Sequence, residues 1–361
     1  MKRCLLSIVL FAMMTHCRRD GFPTLKDAGN QYNLSQVESA SGPRQPMTLP
    51  DQTRYSFRSS RPNGKQNVDL CYGVFPGNEE KGAIVISSGR TESFAIYGEL
   101  IRDLNAQGYS VYIHDHRGQG CSTRLLEDGD RGHVVDFEDY VSDLHQFITT
   151  VVKPESHRHM FLLAHSMGGG IAARYLEQHP DVFKAAALVT PMLKPILGYR
   201  STTTLVSFLN RHIPWADDGD FAHFQSKAYK ASATTDITQS EPRWLATRAI
   251  YADAYSVNGK TDHRPALGGV THRWIREAYA AAELATKKAG DVKTPVLILQ
   301  ASEDTAVDPD AQVEFCRGIG NGKCEGYVIQ GAQHALFIEK DRYRTMALTK
   351  VLDFFDTNSR G

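Results

Sequence analysis

The chain has 361 residues, of which 41% are apolar, enough to bury one large core. Lysine plus arginine and aspartate plus glutamate number 41 each, so the formal charge is zero. No basic stripe stands out that could neutralise a phosphate backbone, which argues against nucleic acid as a partner.

The N-terminus has the pattern of a secretory signal. Two basic residues precede an apolar run from Leu5 to Met14, and Cys17 follows shortly after. A run of about ten residues is too short for a spanning helix, which needs about 20. Residues 1–17 are therefore predicted to direct export. Cys17 is a candidate lipid-bearing residue of an envelope lipoprotein, although the bulky His16 stands where such signals usually carry a small residue.

Residues 18–50 form the next segment. They are rich in Ser, Gly, Asp and Gln and show no hydrophobic periodicity. This composition predicts a polar linker with little order, which separates the following domain from the signal or from the membrane.

The cysteine count is informative about the compartment. Of the six cysteines, two lie near the N-terminus, and an even remainder of four suits an oxidising environment. Cys316 and Cys324 lie on either side of a predicted turn and are the best candidate for a disulfide. For Cys71 and Cys121, free half-buried thiols are as good an interpretation as a bridge.

From residue 53 onward, short apolar runs alternate with helical patterns. The predicted strands cover residues 55–57, 68–74, 83–86, 111–113, 160–163, 185–189, 296–299 and 327–329. The predicted helices cover residues 97–105, 137–152, 169–178 and 341–355. Continuous apolar strands between helices predict an α/β fold with a mostly parallel eight-stranded sheet, flanked by helices on both faces.

The alternation is interrupted by one long segment without a convincing core strand. We predict a mostly helical cap over residues 192–292, inserted between two parts of the core, 51–191 and 293–361. One of its amphipathic patterns covers residues 273–287. All three tryptophans of the chain lie in the cap range: Trp215, Trp244 and Trp274. An aromatic-rich cap could line an apolar cleft, although packing of the cap onto the core better explains each tryptophan taken singly.

Ser166 carries the strongest local signal for chemistry. The apolar strand at 160–163 runs into residues 164–168, which read AHSMG, and a helical pattern follows at once. A small-x-Ser-x-Gly turn between a strand and a helix exposes the serine oxygen above the sheet, and the helix N-terminus stabilises negative charge nearby. The first position is Ala rather than the commoner Gly. This context predicts that Ser166 is a nucleophile.

A serine hydroxyl needs a base to remove its proton, and in this architecture the base is a histidine C-terminal to it. His334 lies between the last strand and the final helix, where a loop at the carboxyl edge of the sheet is expected. His165 flanks the nucleophile but is expected to point away, and His263 and His272 lie in the cap. His334 is therefore the predicted base.

An acid between the serine and the histidine would fix the histidine tautomer. The loop after the strand at 296–299 contains Glu303, Asp304 and Asp308. Asp304 is preferred because it occupies the middle of the loop, whereas Asp308 is expected to cap the helix that begins at Pro309.

Two backbone N–H groups are needed to hold an oxyanion in such a site. One belongs to Met167, directly after the nucleophile, and the other is predicted to come from Arg90, in the loop after the strand at 83–86. The Arg90 side chain is available to meet an anionic head group, or to form an exposed salt bridge.

Six short motifs, in order, resemble one known family. They are SGRTES at 88–93, HDHRGQG at 114–120, GHV at 132–134, AHSMGG at 164–169, GGVT at 268–271 and GAQH at 331–334. The chain resembles the bacterial lysophospholipases of the monoacylglycerol-lipase-like α/β-hydrolases, a group similar to the serine aminopeptidase S33 hydrolases. The resemblance covers about residues 53–355, cap included.

The resemblance implies an α/β-hydrolase fold and removal of a single acyl chain from a lysophospholipid or monoacylglycerol at a membrane surface, with no metal or cofactor. It implies these site residues: the triad Ser166, Asp304 and His334, and the oxyanion donors Met167 and Arg90. Ser88 stands where many of these lipases have histidine, which leaves the oxyanion hole intact because its donor is backbone.

Alternatives remain open on substrate and location. The cap decides the substrate in this fold, so a carboxylesterase or peptidase acting on small soluble molecules is the second hypothesis. A non-catalytic envelope lipoprotein is a more remote third. The signal predicts the cell envelope, whereas relatives at the cytoplasmic face of the membrane make that face the alternative location.

Overall fold

The computed structural model of the protein describes residues 21–27, 29–38, 54–59, 67–78, 81–196, 219–222, 235–252, 255–257, 260–263, 267–320 and 322–360. The predicted signal at 1–17, parts of the predicted linker and cap, and Trp215 lie outside the described residues.

Eight strands form one sheet in the order β1-β2-β4-β3-β5-β6-β9-β10. They are β1 (Arg54–Ser59), β2 (Val68–Phe75), β3 (Gly82–Ser87), β4 (Tyr109–His114), β5 (Met160–His165), β6 (Ala185–Val189), β9 (Val296–Ala301) and β10 (Cys324–Ile329). Only β2 runs antiparallel to its neighbours β1 and β4 within this sheet, and the other pairs are parallel. The predicted eight-stranded, mostly parallel sheet is confirmed.

Helices cover both faces of this sheet. In chain order the helices of the described ranges are α1 (Gly98–Ala106), α2 (Glu138–Phe147), α3 (Met167–Gln178), α4 (Glu241–Ala252), α5 (His272–Lys288), α6 (Pro309–Ile319) and α7 (Asp341–Ser359). Alternate side chains of β3 point to opposite faces of the sheet. Ala83 and Val85 pack in the cluster that contains α2 and α3, whereas Ile84 and Ile86 pack in the cluster that contains α1 and α7. None of these helices is long and apolar enough to cross a membrane.

The predicted cap range contains α4, a small hairpin of β7 (Tyr255–Val257) and β8 (Lys260–His263), and α5. Although α5 lies within residues 192–292, it packs against α3 and α6 as one of the layer helices on the sheet. Its residues Trp274 and Ile275 belong to the same buried cluster as α3. Of the described helices in this range, α4 is the one that faces the cleft described below.

Two disulfides link neighbouring elements. Cys316–Cys324 joins α6 to β10, which confirms the predicted bridge. Cys71–Cys121 joins β2 to the loop after β4, so the free-thiol interpretation of these two residues is wrong.

Part of the predicted linker packs on the domain, so the expectation of little order is wrong for residues 22–27 and 29–38. Leu25 donates its N–H to the Val328 carbonyl, and Val328 donates to the Pro23 carbonyl, at 2.8 and 2.9 Å. The Phe22 ring lies against Gly326, at the place a side chain would occupy. Residues 22–25 thereby cover the outer edge of β10, where unpaired backbone groups would otherwise face solvent.

Replacement of Leu34 by alanine tests whether this segment contributes to stability. Leu34 is 2% exposed and packs with the cluster that contains α1 and α7. We expect Leu34→Ala to lower the free energy of unfolding in urea by about 2–4 kcal/mol, because it leaves a buried cavity. The control Leu245→Ala, at a residue 44% exposed, should change it by about 0.5 kcal/mol or less. An equally small effect at Leu34 would contradict the docking.

Candidate active site

Ser166 lies on a sharp turn between β5 and α3. Its φ of 51° and ψ of −119° are strained for a residue with a side chain. Neighbouring backbone closes around the turn: a Cβ on Gly168 would lie 2.1 Å from the Ser87 carbonyl oxygen, and one on Gly169 would lie 2.5 Å from the Cβ of Pro191. Only glycine fits at these two positions, so the motif is explained by the close approach of the ends of β3 and β6.

The three predicted triad residues meet at the carboxyl edge of the sheet. His334, on the loop after β10, has its Nε2 at 2.8 Å from Ser166 Oγ and its Nδ1 at 2.7 Å from Asp304 Oδ2. Because an ionised carboxylate can only accept, Nδ1 carries the hydrogen and Nε2 is left to accept from the serine hydroxyl. The side chains of both His334 and Asp304 are buried. This is the geometry of a nucleophile, a base and an orienting acid.

The environment of Asp304 keeps its carboxylate charged. Burial raises the pKa of Asp304, but the charge of His334 and its hydrogen bond lower it. The backbone N–H groups of Ala306 and Val307, which donate to Oδ1 at 2.8 and 3.2 Å, lower it further. The net result is a pKa below the ordinary aspartate value, so Asp304 is ionised at neutral pH.

The other two acids of this loop lie elsewhere. Glu303 is exposed to solvent. Asp308 caps α6, because its Oδ1 accepts the N–H of Asp310 at 3.0 Å. The structure therefore brings only Asp304, of the three candidates, to His334.

The two residues predicted to donate backbone N–H groups to an oxyanion both lie close to Ser166 in the fold: Met167 follows it directly, and Arg90 lines the same cleft. Met167 provides the first N–H of α3, and Arg90 lies in the loop that follows β3. Within the part of the chain that the structure describes, neither amide donates to a protein acceptor. Both are thus available to an oxyanion at the predicted position.

The HDHRGQG motif holds the loop that contains Arg90. Gln119 accepts the N–H of Thr91 at 3.2 Å and donates to the Gly89 carbonyl at 2.9 Å. The His116 Nε2 lies 3.1 Å from the Ser88 carbonyl oxygen and donates to it. Side chains from one loop thereby fix the backbone of another, which gives this motif a positioning role at the oxyanion hole.

His165 does not point away from the site as expected; it forms a second buried acid–base pair beside the triad. Its Nδ1 lies 2.9 Å from Glu92 Oε1, and its Nε2 lies 3.3 Å from the carbonyl oxygen of His334. The other oxygen of Glu92 accepts from the Gly89 N–H and the Tyr97 hydroxyl. The pair thus connects the loop of the base to the loop of the oxyanion hole. Sequence reasoning missed it because both residues lay inside motifs already assigned to other roles.

Each member of this pair stabilises the charged form of the other. Burial lowers the pKa of His165, but the charge of Glu92 and the hydrogen bond to it outweigh burial and raise the pKa above 6.5. Burial raises the pKa of Glu92, but the charge of His165 and the hydrogen bonds from His165, Tyr97 and Gly89 outweigh it and hold the pKa below 4.5. The contact therefore favours an ion pair next to the triad, formed when His165 is protonated.

A cleft opens above Ser166, between the sheet and α4. Besides the triad serine and histidine, its described walls contain Arg90, Thr91, Glu92, Ile96, His165, Ile237, Trp244, Thr247, Tyr251, Ala306, Ala335 and Ile338. Trp244 lines the cleft, whereas Trp274 packs in the core cluster. Ile237, Trp244 and Ile338 give the cleft an apolar wall.

A serine, an aspartate and a histidine in this chain order, joined by hydrogen bonds at the carboxyl edge of a mostly parallel sheet, define a serine hydrolase with the α/β-hydrolase fold. A sequence profile of the family described as serine aminopeptidase, S33 matches residues 78–341. The chain belongs to this family.

Three relatives illustrate the similarity. Lysophospholipase L2 of Escherichia coli (strain K12) is 36% identical over 308 residues, which cover 82% of this chain and 86% of that protein. Monoglyceride lipase of Rattus norvegicus is 32% identical over 156 residues, 43% of this chain and 48% of that protein. The crystal structure of a soluble variant of monoglyceride lipase from Saccharomyces cerevisiae, with a substrate analog, has a TM-score of 0.65. It is 20% identical and covers 91% of this chain and 99% of that one.

The Glu92–His165 pair predicts a pH dependence of stability. The raised pKa of His165 adds stability that is complete below pH 6.5, the ordinary histidine value, and is lost as the pH rises through the folded pKa. The lowered pKa of Glu92 adds stability above pH 4.5 that is lost as the pH falls through its folded pKa. We expect the difference in unfolding free energy between the wild type and His165→Gln to be largest between these values and to shrink above them. Urea titrations at several pH values measure it, and a constant difference would contradict the ion pair.

Proposed function

We propose that the protein hydrolyses the ester of a single-chain lipid, a lysophospholipid or a monoacylglycerol, at a membrane surface. The observation that carries this proposal is the hydrogen-bonded series Ser166–His334–Asp304 at the base of a cleft with an apolar wall. The names of the relatives, a lysophospholipase and a monoglyceride lipase, support the same substrate classes.

The reaction proceeds in two acyl transfers. His334 takes the proton of Ser166 as the serine oxygen attacks the ester carbonyl, and the N–H groups of Met167 and Arg90 bind the oxyanion. His334 then donates its proton to the departing glycerol oxygen, which leaves an acyl-enzyme on Ser166. Water, deprotonated by His334, attacks the acyl carbonyl. The bond to the Ser166 oxygen then breaks, His334 returns the proton to that oxygen, and the fatty acid leaves. Asp304 stays ionised and stabilises the imidazolium throughout.

The alternative, a peptidase or a carboxylesterase for small soluble substrates, is less well supported by the cleft. An aminopeptidase needs an acid to bind the substrate's free amino group. Glu92 is the only carboxylate among the described residues that line the cleft, and it already pairs with His165. The apolar wall formed by Ile237, Trp244 and Ile338 suits an acyl chain better than a small polar molecule.

The decisive test compares hydrolysis of detergent-dispersed lysophosphatidylcholine and monoacylglycerol with that of a short soluble ester. We expect the wild type to show a higher kcat/KM on a long-chain lipid, and Ser166→Ala to lose at least about a thousandfold in kcat. A fluorophosphonate probe should label the wild type and the control Ser142→Ala, but not Ser166→Ala. Ser142 lies on α2, where its hydroxyl accepts a hydrogen bond from the side-chain amide of Gln146 at 3.2 Å. A preference for the short ester, or labelling that survives in Ser166→Ala, would refute the proposal.

We also propose that the protein is exported to the cell envelope, with Cys17 as a candidate lipid anchor. The two disulfides support an oxidising compartment, since such bonds are rare in the cytosol. Fractionation of cells that express the full chain should find the protein outside the cytoplasm, with its four bridged cysteines resistant to alkylation until reduced. Deletion of residues 1–17 should retain it in the cytoplasm. Reactive thiols on a cytoplasmic full-length chain would contradict export.

A further inference from the structure

The Arg90 side chain is not needed for the reaction described above, because only its backbone amide serves the oxyanion. Its guanidinium lies beside the cleft, with Nη1 donating to the Gly268 carbonyl at 3.0 Å. The Trp274 ring centre is 6.0 Å from its Cζ, a distance at which the ring face attracts a cation. The side chain is therefore held in place by contacts that do not neutralise its charge.

The guanidinium lies against two paired loops, one that contains Gly132 and one that contains residues 268–271. Gly132 forms a parallel bridge with Val270, donates to the Gly269 carbonyl at 2.8 Å and accepts from Thr271 at 2.9 Å. A Cβ on Gly132 would lie 3.5 Å from Arg90 Nη1, so the loop passes directly beside the charge. The GHV and GGVT motifs of the sequence therefore contact each other beside Arg90. The hydrolytic reaction does not require this contact.

The charge on Arg90 lacks a counter-ion within the described residues. No carboxylate in the described ranges lies within 4.0 Å of its guanidinium, whereas the neighbouring Arg131 contacts both Asp128 and Asp220. Burial lowers the pKa of Arg90 to about 10, so the side chain remains a cation at neutral pH. Glu92, the acid of the cleft wall, is paired with His165. A partly desolvated cation without an anion is costly, which makes the site favourable for an anionic ligand.

We propose that the Arg90 guanidinium binds the phosphate of a lysophospholipid head group and makes lysophospholipid, rather than monoacylglycerol, the preferred substrate. This inference rests on the proposed function. A guanidinium has five N–H donors, and Gly268 takes one, which leaves others to bind phosphate oxygens. The phosphate and the acyl ester are attached to different carbons of the glycerol. The backbone N–H of Arg90 would bind the oxyanion at the ester, and its side chain would bind the phosphate.

Kinetics on lipids with the same acyl chain test the proposal. We expect Arg90→Gln to lower kcat/KM for lysophosphatidylcholine about ten- to hundredfold more than for monoacylglycerol, because charge-assisted hydrogen bonds are lost only with the first. Arg90→Lys should recover part of the preference. The matched control Arg131→Gln removes a nearby, already paired cation and should leave the ratio unchanged. An equal loss on both lipids would assign the side chain to support of the oxyanion loop and overturn the proposal.

Binding measurements test the phosphate site independently of the proposed hydrolytic function. In the Ser166→Ala background, titration with lysophosphatidylcholine and monoacylglycerol reports affinity without turnover, and addition of Arg90→Gln should weaken only the first. That result would support the phosphate site even if the wild type hydrolysed neither lipid, an outcome that would refute the proposed function alone. A third titration measures the affinity for inorganic phosphate. If it binds as tightly as the lipid and depends on Arg90, the site is one for free phosphate and the head-group assignment is wrong.

Discussion

Ser166 occupies a strained backbone conformation, and the surrounding strand ends hold it there. The turn exists because β3, β5 and β6 end at the same edge and leave no room for side chains at Gly168 and Gly169. The same turn makes Met167, the residue directly after the serine, the first residue of α3. The predicted nucleophile and one predicted oxyanion donor therefore depend on a single packing constraint, and the strain is offset by the buried sheet around it.

The remaining parts of the site come from loops, which need separate support. The HDHRGQG loop fixes the oxyanion loop through Gln119 and His116. The Glu92–His165 pair extends this support to the carbonyl of His334. Hydrogen bonds to charged groups are shorter and stronger than neutral ones. A charge-assisted contact between Glu92 and His165 is therefore an effective way to fix the relative positions of the two loops. A mobile base or oxyanion donor would lose the geometry on which the rate depends.

Charge also anchors the element that faces the cleft. Arg243 on α4 is buried and contacts Glu99 on α1, Asp341 at the start of α7 and Glu38 of the N-terminal segment, at 2.7, 2.8 and 3.0 Å. One guanidinium thereby fixes α4, and with it Trp244, relative to the sheet. Arg243 and Arg90 illustrate opposite uses of the same side chain: the first is surrounded by carboxylates, and the second has none within reach among the described residues.

The sequence alone determined the strands, their mostly parallel arrangement and the order serine, acid, histidine. These features depend on local patterns: apolar runs of strand length, and glycine or small residues where backbones approach closely. Asp304 could be ranked above Glu303 and Asp308 because loop position and helix capping are also local.

Only the tertiary structure decided the contacts between segments far apart in the chain. The pairing of His165 with Glu92, the packing of residues 22–25 on β10, the Cys71–Cys121 bridge and the place of α5 beside α3 each join separate elements. Residue type and spacing do not reveal which distant groups meet, because that depends on how the sheet and helices close around one another. The missing counter-ion of Arg90 is of the same kind, since the surroundings of a charge are defined by the fold.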